Sequence, residues 1–281
     1  MDARFQLRVQ RYGWDKAAFY YEGFWGRQLE PAQRRLIEWA DLGRGERVLD
    51  IACGSGLVTF PAAEAVGPAG RVVGTDISER MVESAREKAT QRNMLHAAFE
   101  RMDAGELRLT DGSFDVALCA LGLMYVPDPL AAVKEMFRVL NPGGRAVVAV
   151  WGARNRCGWA EIFPIVDARV KSEVCPLFFQ LGTGETLRRT FEAAGFVEVV
   201  AERLNTLLHY GSPEDAVGAA FAGGPVALAY SRFDERTRDE AHAEYLSSIE
   251  PYRSGSGYAI PGEFVIARGR KESGGRSLPT V

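Results

Sequence analysis

The sequence predicts an α/β protein with a doubly wound, mostly parallel sheet. Three observations predict it. Short β-branched runs alternate strictly with amphipathic helical stretches between residues 47 and 151. The first run passes straight into a glycine turn and a helix, Val48-Leu49-Asp50-Ile51-Ala52-Cys53-Gly54-Ser55-Gly56. Acidic residues then stand at the ends of three consecutive strands, Asp50, Asp76 and Asp103. Such alternation places helices on both faces of a parallel sheet joined by right-handed crossovers.

The elements follow in order. Residues 1–28 are dense in aromatics and read as an irregular cover, with Tyr12, Trp14, Phe19, Tyr20, Tyr21, Phe24 and Trp25 within fourteen positions. Residues 31–41 read as an amphipathic helix, Pro31 suiting its first turn and Gly43 its end. Residues 47–52 (RVLDIA) form the first strand, and 57–66 a helix stopped by Gly67-Pro68. Residues 71–76 (RVVGTD) are the second strand, 79–92 a charged helix, and 95–102 a weaker third strand. Residues 114–121 (FDVALCAL) follow the Asp111-Gly112 turn as a fourth strand. A helix over 129–140 ends at Asn141-Pro142-Gly143-Gly144, and 145–151 (RAVVAVW) is the fifth strand. Beyond it, helices are expected at 158–170, 185–194, 212–223 and 234–250, with strand over 196–208 and again over 258–267. Ser212-Pro213-Glu214-Asp215 carries the residues of a helix start: cap, proline in the first turn, then acids.

Composition bounds the function. The chain has 281 residues, 47% hydrophobic and 25% charged, enough apolar material for a large core. Lys+Arg is 34 against 37 Asp+Glu, with no dense basic run of the kind that holds a nucleic-acid backbone. No apolar stretch approaches the roughly 20 residues that span a bilayer. The first fifteen residues carry charge and lack a secretory pattern, so a cytoplasmic location is expected. Cys53, Cys119, Cys157 and Cys175 form no C-x-x-C pair, and no metal site is expected.

The strand ends carry the chemistry. Gly54 and Gly56 let backbone approach a ligand at the carboxyl edge of the sheet. Asp76, twenty residues after Gly56, is placed to accept both hydroxyls of a ribose, and Asp103 to meet an adenine amino group. The turn runs Gly54-Ser55-Gly56-Leu57-Val58-Thr59, so Thr59 stands where a pyrophosphate site wants a third glycine, and no Gly-Lys-Ser/Thr follows. The pattern suits an adenosine without a phosphate bridge.

VLDIACGSG, VVGTDIS, MDAGELRLTDGSFDVALCALGLMYVPDP and RVLNPGGRAVVAVW, in that order, resemble class I S-adenosylmethionine-dependent methyltransferases. The likeness is to the small-molecule branch that includes the quinone-biosynthesis C-methyltransferases (methyltransferase type 11). It covers roughly residues 15–152, and FEAAGFVEV is similar to a later helix and strand of the same fold. The resemblance implies a Rossmann-like, seven-stranded sheet whose last strand is antiparallel. It implies S-adenosylmethionine as cofactor, with Asp50, Ala52, Gly54 and Gly56 at its methionine part, and Asp76 at the ribose. Ile77 and Met81 would then pack on the adenine, Asp103 and Ala104 meet its edge, Ala120 and Leu121 pass beside the sulfonium, and Tyr125 lie near the acceptor.

The expected domains are an N-terminal lid at 1–30, a cofactor-binding domain at 31–211 and 257–270, a helical insertion over the acceptor pocket at 212–256, and a flexible tail at 271–281. The lid is expected to bring Tyr20 or Trp25 to the cofactor. Trp151, Trp159, Phe163, Phe178, Phe179, Phe221 and Tyr230 would roof the pocket, favouring a small, largely apolar or aromatic acceptor. After the fourth strand Cys119-Ala120-Leu121-Gly122 replaces the Asn-Pro-Pro-Tyr of many amine methyltransferases, which with the acidic balance argues against nucleic acid. No membrane partner is expected, and a homodimer is left open. His209, just before the insertion, is the candidate general base beside Tyr125; His96 and His242 are read as bystanders. Two other readings stay open: an NAD(P)-dependent oxidoreductase, and a non-catalytic S-adenosylmethionine-binding protein.

Overall fold

The structure is a computed structural model and describes residues 3–170, 175 and 177–273. Five parallel strands form its centre: β1 (Arg47–Ile51), β2 (Arg71–Asp76), β3 (Ala97–Arg101), β4 (Phe114–Ala120) and β5 (Leu140–Trp151). Three more follow, β6 (Val197–Tyr210), the two-residue β7 (Arg253–Ser254) and β8 (Gly257–Arg270). The spatial order is β3-β2-β1-β4-β5-β8-β6, with β7 pairing on β8. Strand β8 runs antiparallel between β5 and β6, as expected of the last strand. The order reverses at β1, which pairs with β2 on one side and β4 on the other. That switch point is where open α/β sheets bind ligands.

Helices α2 (Thr59–Val66), α3 (Glu79–Gln91) and α4 (Pro129–Val139) cross between the parallel strands, and α5 (Ile162–Asp167) and α6 (Thr186–Ala193) follow. Ser78 caps α3 by accepting from the Met81 amide, and Asp128 caps α4 by accepting from Ala131. The strands read as near-continuous apolar runs because both faces are covered; Val48, Leu49, Val116, Ala117 and Leu118 are fully buried. The insertion consists of α7 (Pro213–Val217) running into a π-helical turn (Gly218–Ala222), then α8 (Ala227–Tyr230) and α9 (Glu235–Ile249).

The N-terminal segment differs from the sequence expectation. Residues 1–28 do not form an irregular cover followed by a helix from Pro31. One helix, α1 (Ala3–Ala40), runs through both, with Pro31 inside it. Aromatics on opposite faces of this helix hide its period. Its C-terminal part is fixed in the core by Trp25, Leu29, Ala32, Leu36 and Ala40, where each large apolar side chain contributes about 1.5–3 kcal/mol. The helix expected over 158–170 is shorter, Ile162–Asp167. Of the tail, residues 274–281 lie outside the described residues.

Candidate active site

The segments that follow four strands at the carboxyl edge of the sheet, β1 to β4, enclose a cavity of about 700 Å³, mouth included. After β1 the chain turns through Ala52 with φ 54°, Gly54 with φ 54° and Gly56 with φ 93°. After β4 it turns through Leu121 with φ 61°. Left-handed backbone at an alanine and a leucine is strain that the surroundings must hold, and such strain concentrates at ligand sites. The two turns press together: a Cβ on Gly122 would lie 2.2 Å from that of Ala52. Gly56 does not line the cavity. It keeps the first turn low against α2, where a Cβ would meet the Phe60 ring at 2.5 Å.

Asp76 ends β2 with its carboxylate at the cavity wall, 8% exposed. Its Oδ2 accepts from the Gly54 amide at 2.9 Å and its Oδ1 from the Ser78 amide at 2.8 Å. Each oxygen keeps a lone pair for a ligand hydroxyl. Burial raises the carboxyl to about 6, while the Ser78 and Gly54 amides pull it back down. Ile77 and Met81 line the adjacent wall, then Met102, Asp103 and Ala104 at the end of β3. Asp103 Oδ1 accepts from the Gly105 amide at 2.9 Å. Ala120, Leu121 and Tyr125 close the side toward β4.

Asp50 is not brought to the cavity. It is 1% exposed inside β1, and its Oδ2 accepts from Thr59 Oγ1 at 2.6 Å. Its Oδ1 has no partner among the described residues. Burial raises this carboxyl to about 7 against the pull of the Thr59 hydrogen bond. Thr59, standing where a dinucleotide fold would have its third glycine, serves as the partner of this buried acid.

Helix α1 closes the cavity from above. Leu7, Gln10, Trp14 and Tyr21 line it at helical spacing, and none of them was singled out for the site by the sequence. Tyr20, expected at the cofactor, is instead exposed, its ring against Phe19 and Phe24, because one residue along a helix turns a side chain by about 100°. Trp25 lies deeper, donating from Nε1 to the Ala219 carbonyl at 3.2 Å and packing on Trp151 and Trp159. Polar ties hold the N-terminal half of α1 down. Asp15 accepts from Ser78 Oγ at 2.6 Å, Glu22 pairs with Lys88, and Gln10 Nε2 donates to Cys175 Sγ at 3.2 Å.

A narrow apolar slot, about 310 Å³ with its mouth included, adjoins the cavity and shares Trp14, Tyr21, Leu121 and Tyr125 with it. Trp25, Trp151 and Trp159 form its far end. The Trp159 indole is buried, and its Nε1–H has no hydrogen-bond partner among the described residues. Burial raises the Tyr125 phenol well above its ordinary range, and raises Tyr21 likewise with Asp76 adding to it. Both are neutral hydrogen-bond donors at physiological pH.

His209 does not reach the cavity. It lies exposed in a separate open groove with Gln28 and Tyr252, its backbone clasped by the Gln28 side chain at 2.6 and 2.9 Å. Strand β6 stands three ladder steps from β4, roughly 14 Å at the usual strand spacing. His96 lies 2.9 Å from the Ala63 carbonyl and His242 3.0 Å from the Tyr230 hydroxyl, away from the site. Among the described residues no group of three His, Cys, Asp or Glu is placed to hold a metal.

Comparison with known proteins then decides the family. Residues 42–177 match a methyltransferase domain. A demethylmenaquinone methyltransferase of Staphylococcus aureus is 36% identical over 181 residues, 59% of this chain and 74% of that protein. The chain belongs to the class I S-adenosylmethionine-dependent methyltransferases. The fold of this methyltransferase is shared by the YcgJ protein of Bacillus subtilis, with TM-score 0.62 and 18% identity over 87% of this chain and all of that one. It is shared also by phosphoethanolamine N-methyltransferase 2 of Haemonchus contortus in complex with S-adenosyl-L-methionine. There the TM-score is 0.62 and the identity 17%, over 92% of this chain and 57% of that one. S-adenosylmethionine is the cofactor, and the site fits it: a cavity at the switch point of the sheet, a buried carboxylate with free lone pairs, and an open glycine turn. Tyr21 is the neighbour nearest a Cβ on Gly54, at 3.9 Å.

Proposed function

We propose that this methyltransferase moves a methyl group to an O, N or C atom of a small, largely apolar or aromatic metabolite by in-line displacement. One observation carries the reading: the tryptophan-ended slot opens from the cofactor cavity, and no carboxylate, imidazole or amine lines it. An acceptor seated there meets aromatic faces, with the Tyr21 and Tyr125 phenols and the Trp159 indole N–H among its polar partners. The relative from Staphylococcus aureus, named for demethylmenaquinone, supports an acceptor of this apolar kind.

In this reading Asp76 accepts the ribose hydroxyls, Ile77 and Met81 pack on the adenine, and Asp103 with Ala104 meets its edge. Ala52, Gly54, Ala120 and Leu121 hold the methionine part. Asp50 and Gly56 shape the turn from beneath. The bound cofactor supplies an electrophilic methyl on a sulfonium. Tyr125, at the junction of cavity and slot, orients the acceptor by donating a hydrogen bond. With both phenols held neutral, catalysis rests on positioning and on water exclusion by α1. His209 takes no part.

The test is incubation of the purified chain with S-adenosylmethionine and a small-molecule extract, with mass-spectrometric identification of the product. A methylated apolar metabolite appearing with S-adenosylhomocysteine is expected. Methylation confined to charged polar metabolites would overturn the acceptor class.

A further inference from the structure

Over its N-terminal half α1 carries apolar side chains on its outward side as well as toward the cavity. Its buried residues there are Gln6, Gln10, Gly13 and Ala17. Phe5, Tyr12, Phe19 and Tyr20 are exposed instead, Phe19 by 87%. The other exposed large hydrophobics among the described residues, Leu95, Val200 and Leu207, lie scattered on other parts of the chain. Phe5, Arg8, Tyr12, Lys16 and Phe19 recur at spacings of three and four and stand on the outward side of the helix, so they form one stripe. The acids of this half are turned toward α3, where Asp15 binds Ser78 and Glu22 binds Lys88. Beside the stripe an open groove is lined by Arg8, Arg11, Arg101 and Arg108, with Asp103 and Glu106. Arg101 is paired with Glu79, while Arg11 keeps a buried Nε with no hydrogen-bond partner among the described residues.

We propose that this stripe seats the protein on an anionic lipid surface. Aromatic rings sink to the headgroup boundary while arginine and lysine stems reach the phosphates. A second copy fits poorly, because an isologous contact would set Arg8 and Lys16 against their own kind and strip both of water. Duplex nucleic acid would take the arginines but leave Phe5 and Phe19 in water. Among the described residues no helix is long and apolar enough to cross a membrane, so the seat is on the surface. It departs from the sequence expectation of no membrane partner, which rested on the lack of a spanning segment. The groove shares Leu7, Ile77, Met102 and Asp103 with the cofactor cavity, so a seated surface lies against the cavity's rim.

The experiment is co-sedimentation of the full chain with vesicles of phosphatidylcholine alone and of phosphatidylcholine mixed with phosphatidylglycerol. Partition onto the mixed vesicles is expected, weakening as salt rises. It should fall by roughly tenfold in Lys16→Glu and again in the double variant Phe5→Ser/Phe19→Ser. Calorimetric binding of S-adenosylhomocysteine without vesicles should be unchanged in both, showing the fold intact. No partition onto the mixed vesicles would overturn the proposal, as would partition indifferent to both variants. So would a concentration-dependent dimer in ultracentrifugation that the same substitutions abolish, or tighter binding to duplex DNA than to the vesicles.

Discussion

The substitution Asp76→Asn keeps the shape of the side chain and removes its charge. Each carboxylate oxygen now accepts a backbone N–H, from Gly54 and from Ser78, so the nitrogen of the introduced amide must face one of these donors. That mismatch costs the fold about 1–3 kcal/mol. Two charge-assisted bonds from the ribose are each worth about 1.5–3 kcal/mol, and the amide oxygen returns one neutral bond of about 0.5–1.5 kcal/mol. The net loss of binding is about 1.5–5.5 kcal/mol, or roughly 10- to 10,000-fold in Kd. Titration calorimetry with S-adenosylhomocysteine at pH 8, beside a thermal melt, measures both effects. A variant that melts cooperatively and binds within about threefold of the parent refutes the ribose role, and leaves Asp76 as a residue that only ties two turns together.

Cofactor affinity should hold above about pH 7 and weaken as the pH falls through about 6, where burial places the Asp76 carboxyl, because the carboxylate is the form that accepts both hydroxyls; calorimetry across that range checks it. Stability runs the other way. Asp50 and Asp76 keep their protons to about 7 and 6 when folded, so between about pH 4 and 7 the folded chain binds more protons than the unfolded one and is destabilised as pH rises, which melts will show. Trp159→Phe removes the unpartnered indole N–H; KM for the acceptor should rise about 5- to 100-fold while the cofactor Kd stays put, and an unchanged KM would show that the N–H meets no ligand. Activity should survive EDTA, and a loss restored by magnesium or zinc would contradict a metal-free site. Amide exchange in residues 3–24 should be faster than in β1 and β4 without cofactor and slow on its addition; equal protection in the empty protein would make this half of α1 ordinary core.

The central sheet was legible because its strands are buried on both faces and so read as short apolar runs, each closed by glycine or an acid. The edge that holds the cavity was legible for a related reason: Asp76, Asp103 and the Gly54 turn interrupt the apolar runs at strand ends, and all three line the cavity. Helix α1 was hidden by its two apolar faces. Phe5, Tyr12 and Phe19 on one face and Trp14, Tyr21 and Trp25 on the other leave no hydrophobic period to read, so the run looked irregular. Taken as a helix, the spacing 7, 10, 14, 21 would have named the cavity's cover. His209 illustrates a second limit. Proximity in sequence to the insertion says nothing of distance across a sheet, and the order β4-β5-β8-β6 carries that strand to the outer edge.

The two faces of α1 bear on one equilibrium. Its C-terminal half cannot leave the core, because Trp25, Leu29 and Leu36 are buried there. Its N-terminal half is held by the part-buried Asp15–Ser78 bond and Glu22–Lys88 pair, by the buried Gln10–Cys175 bond, and by the packing of Trp14 on Tyr125. Ser78 joins the cover to the cavity wall, since its amide donates to Asp76 while its hydroxyl donates to Asp15. If a lipid surface favours the docked helix from outside and the cofactor favours it from within, linkage requires each to raise affinity for the other by the same factor. On the proposed acceptor class, a stripe of exposed aromatics on the back of a cavity cover then has a physical reason: water exclusion at the methyl donor would be coupled to contact with the phase in which an apolar acceptor dissolves.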